Sequence, residues 1–107
     1  EIESSRLQRG GAVIAVIYKP IDHPKIPKWE MQLSSAAVCM NLLNCAQSMG
    51  YAAQWLTEWY AYNNKMLERL GGDINKDLIS GFIYIGMKID EPTERKRPNP
   101  SDVITYL

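Results

Sequence analysis

One segment limits the fold more than any other. Residues 34–49 (SSAAVCMNLLNCAQSM) are apolar almost all round when wound into a helix. Ala36, Ala37, Val38, Cys39, Met40, Leu42, Leu43, Cys45, Ala46 and Met49 cover most of the cylinder. Only a narrow polar seam remains, through Ser34, Asn41, Asn44 and Ser48. A surface helix keeps a wide polar face towards water, so this one must be enclosed. A chain of 107 residues buries only about two thirds of its unfolded surface. The segment is therefore expected to be a central helix in a dimer or a larger domain. Ser34 or Ser35 is the expected N-cap, and Gly50 the residue that ends the helix.

Strand-like runs surround this helix. Residues 12–18 (AVIAVIY) form a short β-branched run, as expected of a strand covered on both faces. Residues 51–57 (YAAQWLT) and 79–87 (ISGFIYIGM) read as a second and a third strand. Gly81 and Gly86 in the third mark close approach of backbone or ligand. Residues 21–29 (IDHPKIPKW) hold two prolines and read as an extended loop, with His23 a solvated loop residue. Asn63 or Asn64 is placed to cap a short helix over 65–70, which Gly71 and Gly72 end. Residues 88–100 read as a polar loop, and 103–107 as an apolar tail suited to an edge strand. Residues 1–9 read as the end of a polar helix, which suggests that an N-terminal portion is absent from this chain. Helices and strands interleave, so the expected class is α/β or α+β with a layered sheet.

Charge and cysteine usage exclude several functions. Twelve Lys and Arg balance twelve Asp and Glu, so there is no basic surface for sequence-independent binding of nucleic acid. No apolar run approaches the ~18 residues of a membrane span. Cys39 and Cys45 lie six residues apart, a rise of about 9 Å along a helix. A disulfide needs Cα atoms within about 7 Å, so both are expected to be buried free thiols. Free thiols indicate a reducing compartment, the cytoplasm. No Cys/His cluster indicates a metal. There is also no nucleophile–base pair, no P-loop and no G-x-G-x-x-G. Either the protein is not an enzyme, or a cofactor carries its chemistry.

Three strings in order, AAVCMNLLNCAQSMGYAAQWLTEWY (36–60), ISGFIYIGMK (79–88) and RKRPNPSDVITY (95–106), resemble the C-terminal half of an FMN-dependent nitroreductase. The resemblance covers residues 12–107 and implies an α+β, three-layer fold: a mixed sheet flanked by helices, incomplete in this chain. Residues 1–107 would be the C-terminal portion of one such domain. It further implies a homodimer with FMN at the subunit interface. Hydride from NADH or NADPH would reach nitroaromatics, quinones or similar acceptors by a ping-pong route through the flavin. By matched position, Gln54, Trp55, Leu56 and Thr57 would line the flavin, although Trp55 and Leu56 are equally suited to ordinary core. Cys45, Ala46, Gln47, Ser48, Met49 and Gly50 match a segment that binds the nicotinamide nucleotide, and packing explains their apolar members as well. Arg95 and Arg97 match a basic pair that meets the FMN phosphate, for which bidentate guanidinium groups are well suited. Otherwise they form a solvated charge run. The family's N-terminal phosphate-binding motif has no counterpart here. A non-catalytic dimerisation or interaction module is the alternative from a different class, supported by the apolar helix and tail.

Overall fold

In the computed structural model, residues 11–107 are described; the helix expected over 1–9 lies outside them. The elements run β1 (Ala12–Tyr18), α1 (Lys28–Ser48), β2 (Tyr51–Leu56), a 3-10 turn (Trp59–Tyr62), α2 (Asn64–Arg69), β3 (Leu78–Met87) and α3 (Pro100–Val103). The strand order is β1-β3-β2. Both ladders are antiparallel, so the parallel pairing of a mixed sheet does not occur among the described residues. β3 takes the centre because it is the most continuously apolar strand, and Ile79, Gly81, Phe82 and Ile83 are all buried. β1 lies at an edge, and Ile14 on it stays 39% exposed, so the expected cover on both faces is partial.

Period-two alternation divides the sheet into two faces. On one, Val13, Ala15 and Tyr84 pack against a cluster of Tyr60, Ala61, Leu67, Ile79 and Phe82. The 3-10 turn and α2 cover this face. Tyr60 meets Phe82 edge to face at 5.0 Å between ring centroids. On the other, Ile14, Trp55 and Ile83 share the register, and α1, which touches all three strands, lies across them. A helical layer thus lies on each side of the sheet, as expected of three layers.

α1 starts earlier than expected. Its N-cap is Pro27, and Lys28, Trp29 and Glu30 form the first turn. Proline fixes its own φ and cannot donate, so a helix begins most easily immediately after the last of several prolines. Neither Ser34 nor Ser35 caps the helix; the Ser35 hydroxyl pairs with that of Ser80 at 2.6 Å, tying α1 to β3. Gly50 follows the helix at φ 90°, the left-handed turn expected of it. Within this chain Cys39 and Ala46 are the buried residues of α1, while Trp29, Leu33, Val38 and Met40 point outwards and are exposed.

The remaining expectations are met unevenly. Asn63 caps α2, its Oδ1 accepting from the Met66 amide at 3.0 Å. His23 organises its turn: Nδ1 accepts from the amides of Lys25 and Ile26. Both cysteines are free, but Cys45 is exposed rather than buried; burial pushes the Cys39 thiol up. The tail joins no strand among the described residues: α3 occupies its first part, and Tyr106 and Leu107 are exposed. Asn99 and Pro100 favour a helix start there over an extension of the sheet. No helix among the described residues is long and apolar enough to cross a membrane.

Candidate functional site

β2 is an edge strand whose successive side chains face opposite ways, and this separates the four residues expected on it. Gln54 pairs in register with Tyr84 and Trp55 with Ile83. Gln54 lines an open hollow of about 410 Å³ with Ala52, Ala53, Tyr84, Ile85, Gly86 and Arg95. The chain thus brings Gln54 and Arg95 together from β2 and from the loop after β3. Trp55 and Thr57 line a different cavity, of about 440 Å³. Leu56 is half-buried opposite Phe82 and lines neither.

The hollow has a small-residue floor. Ala52 and Gly86 are register partners, so neither fills the space above its part of the sheet. Among the described residues, a Cβ built on Gly86 would meet only the Gly11 amide nitrogen, at 3.9 Å. Tyr84 is hydrogen-bonded through its hydroxyl to the buried Tyr60. Among the described residues, Arg95 supplies the only cation in the lining. Arg97 does not line it; its Nε donates to Glu94 Oε1 at 2.7 Å, and both side chains are well exposed.

The segment 45–50 divides as well. Ala46 is buried, whereas Cys45, Gln47, Ser48, Met49 and Gly50 are exposed. The Ser48 hydroxyl donates back to the Cys45 carbonyl at 2.8 Å. Gln47 lines a third hollow, of about 300 Å³, with Tyr51, Ala52, Ala53 and Lys88. Ala52 and Ala53, successive residues of the edge strand, line both hollows.

Asp77 is among the residues that line the 440 Å³ cavity. Asp77 is buried, and its Oδ2 accepts from Lys19 Nζ at 3.0 Å and from the Asp73 amide at 2.8 Å. These partners, the backbone donor first, hold its carboxyl below the usual aspartate value. Among the described residues, Asp77 Oδ1 has no hydrogen-bond partner. The Trp55 indole N–H donates to the Ser80 carbonyl at 3.0 Å and so is not free for a ligand. Among the described residues no group of three His, Cys, Asp or Glu could hold a metal.

Sequence reasoning missed Tyr84, Ala52 and Asp77. For Tyr84 a signal was present: in ISGFIYIGM, positions 82, 84 and 86 share a face, so Tyr84 stands beside Gly86. A lone aspartate before a strand carries no comparable signal.

Comparison with known proteins agrees with this fold. The chain is 27% identical over 104 residues to "Putative NAD(P)H nitroreductase YdjA" of Escherichia coli, covering 92% of this chain and 54% of that protein. A nitroreductase-like family protein from Bacillus cereus superposes on 99% of this chain and 56% of its own, with a TM-score of 0.80 at 22% identity. A "putative nitroreductase in complex with fmn" from Desulfovibrio desulfuricans matches 88% of this chain and 54% of its own, with a TM-score of 0.66 at 19% identity. No family model matches. The chain spans about half the length of the curated relatives it matches. In both sequence and fold, then, this α+β chain is nitroreductase-like.

Proposed function

We propose that this chain is the C-terminal portion of an FMN-dependent NAD(P)H oxidoreductase that acts as a homodimer with the flavin at the subunit interface. The observation that carries the reading is the meeting of Gln54 and Arg95 over a flat floor of Ala52 and Gly86. A planar ring needs such a floor, since a larger side chain at either position would lift it from the sheet. The residues present therefore fit the cofactor, and the open space above Gly86 is the structural reason. When bound, FMN would accept hydride from the nicotinamide and pass reducing equivalents to a nitroaromatic, quinone or similar acceptor.

This chain's residues would bind and orient. The Gln54 amide offers both a donor and an acceptor to the polar edge of the ring. Arg95 offers a fork of N–H donors to the phosphate. Arg97 would join it only by exchanging Glu94 for the phosphate, a swap between two anionic partners. Trp55 and Leu56 would hold β2 in place from within the packing, and Thr57 would close the end of the strand. The segment 45–50 would meet the nicotinamide nucleotide through Gln47, which lines the hollow with Tyr51 and Lys88. The outward apolar face of α1 would be covered by the partner subunit and the rest of the protein. No proton donor is assigned to this chain.

The full-length protein should be yellow, or become so with added FMN. It should oxidise NADH or NADPH faster when a quinone or nitroaromatic is added. Replacing Arg95 by Ala should weaken FMN binding by about 10- to 100-fold, the range of a charge-assisted contact. A full-length protein that binds no FMN overturns the reading. The non-catalytic interaction module would then be favoured, since the exposed apolar residues of α1 support it equally.

A further inference from the structure

Two backbone amides stand between His23 and the first residue of α1. The stretch reads His23-Pro24-Lys25-Ile26-Pro27, and neither proline has an N–H. The amides that remain, of Lys25 and Ile26, both donate to one atom, His23 Nδ1, each at 3.1 Å. The imidazole thus takes the part that an Asn or Asp side chain takes when it closes a turn on its own backbone.

A ring nitrogen accepts only while it carries no proton. The two bonds therefore select the neutral ring with its proton on Nε2. A proton on Nδ1 would turn the acceptor into a donor that faces two other donors, and both bonds would be lost at once. The surroundings do not offset this. Asp22 and Lys28, the other charged residues lining the same hollow, are paired with each other at 3.2 Å, so together they bring no net charge to an imidazolium. Lys25, within the turn, is a like charge. His23 is exposed, so protons reach it from solvent directly.

The turn fixes the entry to α1. Its N-cap, Pro27, makes no side-chain bond to the helix. A second tie lies one residue on: the Tyr18 hydroxyl donates to the Lys28 carbonyl at 3.1 Å and holds the first helical residue to β1 without His23. Loss of the imidazole bonds is thereby confined to residues 23–27, and α1 stays in place.

We infer that His23 is a proton-operated latch on the turn that enters α1, closed while Nδ1 is unprotonated and released when the ring takes up a proton. The device requires no flavin, so it stands or falls apart from the proposed oxidoreductase activity.

The test is NMR of the nitrogen-15-labelled full-length protein, titrated from about pH 8 to pH 5, the span in which histidine changes charge. At the alkaline end, long-range nitrogen–proton spectra should show Nε2 protonated and Nδ1 bare. On acidification the Lys25 and Ile26 amide resonances should move in step with the His23 ring. Their protection from exchange should fall by about tenfold beyond the intrinsic effect of pH, while the amides of α1 keep theirs. His23→Asn, whose Oδ1 accepts at every pH in this span, should keep the turn and abolish the dependence. If that variant does not fold, the tautomer and the two amide titrations of the natural protein decide alone. A proton on Nδ1 at the alkaline end overturns the inference, as do amides of Lys25 and Ile26 that do not follow the ring.

Discussion

At position 81 the sheet leaves no room for a side chain. A Cβ there would lie 2.1 Å from the Trp55 indole nitrogen. The indole is fixed by its bond to the Ser80 carbonyl, so it cannot retreat without breaking that bond. Gly81→Ala should destabilise the protein by about 1–3 kcal/mol, the usual cost of overfilling a packed site. Denaturant unfolding with tryptophan emission as the probe would measure both the loss and the displaced indole. Asp77 carries a different residue-scale consequence. Its folded-state pKa is depressed by the Asp73 amide and by Lys19. The stability it contributes is therefore fully present above the unfolded value of about 3.9, and is lost as pH falls through the lower folded value. Urea unfolding between about pH 5 and pH 2 should show a shallower acid loss in Asp77→Asn than in the natural protein.

At the scale of elements, α2 has six residues, too few to persist without its cap. Asn63→Ala removes the acceptor for the Met66 amide and should cost about 1 kcal/mol. Since Leu67 of α2 belongs to the buried cluster, that loss should appear in global unfolding and not as local fraying alone. α1 shows the converse. Its inner stripe is fixed by the sheet, while Val38 and Leu33 face outwards and are exposed. If these residues are covered in the homodimer, Val38→Asp should shift full-length protein towards monomer in sedimentation velocity. The far-ultraviolet circular dichroism of the variant should be unchanged. Retention of the natural oligomeric state would place the contact surface elsewhere.

On the scale of the whole molecule, the register of β2 against β3 distributes the candidate residues. Because Gln54 and Trp55 face opposite ways, one strand borders both the hollow with Arg95 and the cavity with Asp77. Arg95→Ala is therefore expected to weaken FMN binding while leaving the packing around Asp77 intact. FMN titration of the variant beside its urea unfolding curve would check this independence.

Composition and pattern alone fixed a good deal. The apolar helix, the three strands, the Asn63 cap and the left-handed Gly50 all follow from local rules: side-chain period, capping chemistry and glycine's freedom at positive φ. The start of α1 was hidden because serines able to cap stand downstream of the proline that takes the N-cap position without a side-chain bond, and only packing shows Ser35 engaged with Ser80. The joining of Gln54 to Arg95, and the separation of Arg97 from both, depend on how a loop folds back over an edge strand. The ion pair that holds the buried Asp77 depends on Lys19, fifty-eight residues away. Local preference acts over a few residues and is written in the chain. Contacts between distant segments are selected by the packing of all of them at once, so only the tertiary structure could decide which side chains share a site.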